Sequence, residues 1–202
     1  MNLMERAKNI IVSPKTEWDM IAKEEPNTQQ ILLGYIFPLT LLPAISSILG
    51  GMIFSPFGFA FGLATGIGTA IVFMVVIMVV VLLSAVLLDA FATSFGSQKN
   101  FGKSLQLVAY SITPALVIGI LFFIPVLGWL LYVAGFGYGI YILYLGLGPI
   151  KQTPEDKKLV YLIISILVLL GVFWILFWVL TLIIMAIIMA IFGFGMMGGL
   201  SY

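Results

Sequence analysis

The sequence predicts an all-α fold: an integral membrane helical bundle of five transmembrane spans with short N-terminal interfacial helices. Three observations predict it. Apolar residues make up 62% of the 202 residues and charged residues only 8%, and the mean hydropathy is +1.23, outside the range of soluble domains. The apolar residues fall in runs long enough to cross a hydrocarbon core of about 30 Å, which takes about 20 residues. All nine Lys and Arg residues collect in three short patches: Arg6, Lys8, Lys15 and Lys23; Lys99 and Lys103; Lys151, Lys157 and Lys158.

Residues 1–27 form a charged amphipathic segment with no apolar stretch like that of a cleavable signal, so the first span is expected to direct insertion. Leu3, Ala7, Ile10 and Ile11 share one helical face, with Glu5, Arg6, Lys8 and Asn9 mostly opposite. Ser13-Pro14 reads as an N-cap followed by Pro at the first helical position. The second short helix carries Trp18, Ile21 and Ala22 on its apolar side and ends before Pro26. Such a pair can lie in the headgroup layer, with Trp18 at the interface and the lysines reaching towards phosphates. Packing against the bundle, and a cytoplasmic protein partner at this segment, are the other readings.

The membrane domain is expected over 28–192. The first span covers about 30–54, where Pro38 and Pro43 should bend the helix and free backbone carbonyls. Ser55-Pro56 marks a turn, and the Gly-rich stretch 58–68 leads into a second span at about 67–92. A polar loop, 96–100, precedes the third span at about 105–123. Pro125 and Gly128 separate it from a fourth at about 128–147, which Gly148-Pro149 should end. The fifth span, about 159–191, is longer than a membrane needs and should tilt or protrude. A Gly-rich, uncharged tail, 193–202, follows.

The basic patches then set the orientation. The N-terminus, the loop between spans two and three and the loop between spans four and five hold all the Lys and Arg, so these should be cytoplasmic. An odd span count puts the C-terminus outside.

Few reactive groups remain. With no Cys and no His, thiol catalysis, disulfides and the usual metal ligands are absent, so neither a metal nor a cofactor is expected. A net charge of +1 gives no reason to expect nucleic acid. Asp89 is the one acid within the expected spans, and intramembrane acids are candidate proton or cation sites. Its depth, about 33 Å along a span starting near Ile67, instead suggests an interfacial carboxylate paired with Lys99, Lys103 or a loop residue. An intramembrane aspartyl protease needs two acids, and a Ser-Lys dyad needs a Lys within reach of an embedded Ser, whereas each Lys is expected in a loop or near the N-terminus. No enzyme is expected.

Small residues repeat at helix-packing spacing: Gly58, Gly62 and Gly66 in the stretch leading into the second span, Gly135 and Gly139 on the fourth. Such stripes let backbones approach closely, either within the chain or in a homo-oligomer. Trp129, Tyr132, Trp174 and Trp178 suit an outer aromatic belt or a packing surface. Tyr110 and Pro114 together should kink the third span, with the Tyr hydroxyl meeting a freed carbonyl.

The run Arg6-Ala-Lys-Asn-Ile-Ile-Val-Ser-Pro-Lys-Thr-Glu-Trp-Asp19, closely followed by Ile21, resembles the opening of prokaryotic members of the Yip (Ypt-interacting protein) family. Ala109-Tyr110-Ser-Ile-Thr-Pro114 is similar to that family's Gly-Tyr-x-x-x-Pro element, with Ala109 where Gly is usual. Phe101-Gly102-Lys103 and Ile124-Pro125-Val-Leu-Gly128-Trp129 also fit, and the likeness spans roughly residues 5–170. It implies five spans, a cytoplasmic N-terminus, an outer C-terminus and a bacterial inner membrane. Eukaryotic relatives bind Rab-type GTPases, but their Asp-Leu-Tyr-Gly-Pro element is absent here. The expected function is a non-enzymatic membrane-organising or partner-binding protein. The rival reading is a small ion or solute transporter using Asp89, which a pocket joining Asp89 to Ser84, Thr93 and Ser111 would favour.

Overall fold

The computed structural model describes residues 2–198, with side chains described through residue 190. Among the described residues every element is helical, and five helices are long and apolar enough to cross a membrane: Thr28–Phe54, Phe59–Phe95, Phe101–Leu121, Leu127–Lys151 and Glu155–Ala190. The five-span, all-α expectation holds.

Two short helices precede the spans, α1 (Leu3–Val12) and α2 (Pro14–Lys23). Ser13 both ends α1 and precedes α2, and Pro14 at the first position of α2 sacrifices no intrahelical donor. The first span joins α3 (Thr28–Ile31), a π-helical turn over Leu32–Ile36 and α4 (Phe37–Phe54). Pro38 supplies no N–H for the Gly34 carbonyl, and the wider π turn lies over that gap.

The second span differs from expectation. Its helix, α5 (Phe59–Phe91), begins eight residues before Ile67 and takes in most of the Gly-rich stretch. Glycine is a poor helix former, but α4 supplies a close-packed partner here. A Cβ on Gly62 would collide with the Gly51 carbonyl, and one on Gly66 would lie 2.9 Å from Ile48 Cα. Tertiary contact outweighs propensity. Gly58 does not share in this packing: it sits at the helix N-cap with φ 88°, and nothing lies within 4 Å of where its side chain would be.

The third span breaks as Pro114 requires, into α6 (Phe101–Ser111), α7 (Thr113–Ile118) and a short 3-10 turn over Gly119–Leu121. The Tyr110 carbonyl, deprived of a donor at Pro114, accepts instead from the Ile112 N–H. The following turn is tight. Leu127 N–H donates to Pro125 O at 2.7 Å and Val126 has φ 63° and ψ −59°, a γ-turn of the strained hand.

Helix α8 (Leu127–Lys151) runs four residues past the expected stop at Leu147. Pro149 lies inside it, and the helix closes where Gln152 adopts the left-handed conformation. There Gln152 N–H reaches Gly148 O and Thr153 N–H reaches Leu147 O. The last helix, α9 (Glu155–Gly198), is one unbroken element of 44 residues, about 66 Å long, so the apolar run makes a single span. Glu155 and Asp156 occupy its first turn, where acidic side chains suit the helix N-terminus. Residues 193–198 of the expected tail continue this helix, and 199–202 lie outside the described residues.

Helix α5 packs against α4, α6 and α9, and α8 packs against α2, α6, α7 and α9. Gly135 faces Ala115 and Pro114, and Gly139 faces the Ser111 carbonyl. The glycines at 62, 66, 135 and 139 are therefore occupied within one chain. Trp129, Trp174 and Trp178 point outwards and are half exposed. The three basic patches meet at one end of the bundle. There Lys103 bonds to α2, the 96–100 loop bonds to Lys151, and Lys157 approaches Gly96.

Candidate functional site

Two polar constellations lie at that end. The first surrounds Asp89, whose Oδ1 accepts from Asn100 N–H at 2.7 Å, Ser104 Oγ at 3.1 Å and Lys151 Nζ at 3.0 Å. Lys151 is fully buried, and its ammonium also reaches Ser104 Oγ at 2.7 Å and Asn100 O at 3.5 Å. Three donors meet three acceptors, as a buried ammonium requires. Neighbouring bonds tie the loops together: Gln98 N–H to Lys151 O at 2.7 Å, and the Ser97 and Thr153 hydroxyls at 2.9 Å. Tyr161 donates to Leu88 O at 2.8 Å.

Of the partners expected for Asp89, the structure takes the loop residue: it is Lys151, and neither Lys99 nor Lys103 holds it. Two other expectations are corrected. Lys151 itself is a helical residue inside the fold, since α8 outlasts Pro149. A Lys therefore does stand beside a buried Ser, and its ammonium is shared between the Ser104 hydroxyl and the Asp89 carboxylate. The pocket that would have united Asp89 with Ser84, Thr93 and Ser111 does not form. Thr93 is exposed, and Ser111 Oγ bonds to Leu107 O at 2.7 Å.

The second constellation centres on Arg6, which is buried and not on the polar face where the sequence reading put it. It donates to Glu17 Oε1 at 2.7 Å and also bonds Glu24. Its guanidinium lies 5.4 Å from the Tyr110 ring centroid. Burial opposes its charge, but the Glu24 hydrogen bond and the field of Glu24 and Glu17 outweigh burial and raise its pKa. Tyr110 acts through its ring: Tyr35 meets it edge-on at 4.8 Å, and Trp18 lies tilted to it at 6.2 Å. It is Tyr35 whose hydroxyl bonds Thr113 Oγ1, at 2.8 Å, in the kink.

Trp18 is fully buried: of the readings for this segment, it follows packing against the bundle and does not sit in the headgroup layer. Its Nε1 donates to Ile142 O at 2.9 Å, and its ring fills the space left by Gly146. Tyr138 reaches Ile11 O at 2.7 Å. Lys103 Nζ caps the end of α2 by bonding the carbonyls of Ile21, Ala22 and Glu24 at 3.1, 2.8 and 2.7 Å. Among the described residues no cluster of three or more acidic, His or Cys side chains suits a metal.

A family model described as the Yip1 domain matches residues 8–177. The chain belongs to the Yip1-domain family. Neither the curated proteins nor the solved structures give a match. The Yip1-domain match takes in Trp18, Asp89, Tyr110, Pro114 and Lys151, while Arg6 lies just ahead of it.

Proposed function

We propose that this Yip1-domain protein is a non-enzymatic membrane-organising protein of a bacterial inner membrane. Its α1–α2 pair lies on the cytoplasmic side and its C-terminus outside. The observation that carries the reading is how that pair is held. Trp18, Arg6 and the Tyr138–Ile11 bond fix one face to the bundle. The other face leaves Met4, Val12 and Met20 exposed among exposed Lys8, Lys15 and Lys23. Exposed apolar side chains beside lysines suit a headgroup layer. Glu5 and Asp19 share the face, so apolar insertion carries more of the contact than charge does.

A transporting role draws less support. The one acid at the end of α5 is already neutralised by Lys151, and the spans close on each other through glycine–backbone contacts.

Because the chain has no Cys, Val12→Cys and Met20→Cys each give a unique labelling point. A fluorophore at either position in lipid nanodiscs should be quenched by a nitroxide carried on the lipid headgroup and shielded from an aqueous quencher. Quenching from water alone would remove the lipid-contact reading and leave a protein partner for this face.

A further inference from the structure

We infer that a cavity of about 260 Å³ beside Arg6 binds a primary ammonium group. It lies between α1, the α2–α3 linker, the π-helical turn and α6, and Glu24, Glu25, Tyr35, Gln106 and Tyr110 contribute to its walls. The volume is below that of clefts for drug-sized ligands, roughly 300–1,000 Å³, and suits a headgroup or a small amine.

Gln106 points to a ligand. It is only 2% exposed, and its Oε1 has no hydrogen-bond partner, whereas the other buried polar side chains of α6, Ser104 and Ser111, are bonded. A buried amide oxygen left unpaired is costly, and folded proteins rarely keep one without use. Gln106 lines the cavity, so an N–H donor entering beside it is placed to reach the unpaired oxygen.

Charge selects the donor. Arg6, Glu24 and Glu25 line the cavity; with Glu17, bonded to Arg6, and Lys103, bonded to Glu24 O, they leave an excess of one carboxylate. Arg6 is paired with Glu17 and Glu24, and Lys103, bonded to the α2 carbonyls, lies in the field of Glu25 and Glu24. Glu25 is exposed and forms no ion pair among the described residues. An anion would meet this excess unfavourably. A primary ammonium offers N–H donors to Gln106 Oε1 and to the carboxylates, and its charge offsets their excess of one. The π-helical turn, a distortion frequent at binding sites, puts Gly34 and Tyr35 into the wall.

Two sources share this chemistry, an ethanolamine lipid headgroup and a free small amine. The test uses full-length protein in phosphatidylcholine nanodiscs, whose quaternary headgroup has no N–H to donate. Added phosphatidylethanolamine should be retained about tenfold over phosphatidylcholine by native mass spectrometry, and Gln106→Leu or Glu25→Gln should each remove that preference. Free ethanolamine that gives a binding heat while the lipid shows no preference would assign the site to a soluble amine. Neither lipid preference nor ethanolamine heat, or binding that both variants leave intact, would overturn the proposal. Glu25 is exposed, so its variant decides the matter even where Gln106→Leu disturbs the fold.

Discussion

Lys151 Nζ lies 3.0 Å from Asp89 Oδ1, joining the end of α8 to the end of α5 across 62 residues of chain. A buried pair adds little net stability over apolar residues of the same shape, but removing one member strands the other charge at about 3–5 kcal/mol. Asp89→Asn and Lys151→Met should each lower the thermal midpoint in detergent strongly. The double variant Asp89→Asn/Lys151→Met should recover most of the loss. Additive losses in the double variant would show that the two residues contribute separately.

Trp18 and Gly146 form a second coupled pair. A Cβ at Gly146 would sit 2.8 Å from Trp18 Cε2 and 2.6 Å from Leu107 Cδ1, so Gly146→Ala should force the indole out of its slot. Trp18→Phe keeps a ring but loses the bond to Ile142 O, at about 1–2 kcal/mol. Both variants should loosen α1–α2 and expose the 24–27 linker to protease, and the double variant should cost less than the sum. Cleavage rates equal to wild type would mean the docked position is not the one in solution.

Much of this fold was legible because its physics is local. Runs of apolar residues and the placement of nine basic side chains give five spans and one polar end without any knowledge of packing. Element ends were less legible where a neighbour decides them. Pro149 is a sound stop signal, yet Gln152 and Thr153 close α8 beyond it, and this brings Lys151 inside. The Gly-rich start of α5 is helical because α4 lies against it, which no local rule conveys. Arg6 and Glu17 were legible in principle. Leu3, Arg6, Ala7 and Ile10 fall on one i, i+3, i+4, i+7 stripe, as do Pro14, Glu17, Trp18 and Ile21. Opposite charges on the buried stripes of two consecutive helices are the sequence signal of their ion pair. Gln106 left no such trace, since an unpaired amide is visible only once its surroundings are built.

The glycine stripes make a prediction that separates packing within the chain from packing between chains. Gly62→Ala places a Cβ against the Gly51 carbonyl and 2.6 Å from Ser55 Cβ. It should destabilise the α4–α5 pair by about 1–3 kcal/mol, the usual scale of overpacking. Gly137→Ala meets nothing within 4 Å and should stabilise α8 by about 0.5–1 kcal/mol through helix propensity. Thermal midpoints of the two variants at several protein-to-detergent ratios check both. A Gly62→Ala defect that appears only at high protein loading would move the contact to a homo-oligomer.

The geometry around Asp89 also predicts the outcome of a flux measurement. Its Oδ1 already receives an ammonium, a hydroxyl and a backbone N–H, so a passing cation would have to displace a buried Lys that has its own satisfied bonds. Such a carboxylate is a fastener and a poor relay site. Sealed liposomes holding wild-type protein or Asp89→Asn, matched for insertion, should therefore leak protons and monovalent cations equally, at the rate of empty vesicles. A leak in wild type that the substitution abolishes would make Asp89 a working group, and would require Lys151 to leave it during each cycle.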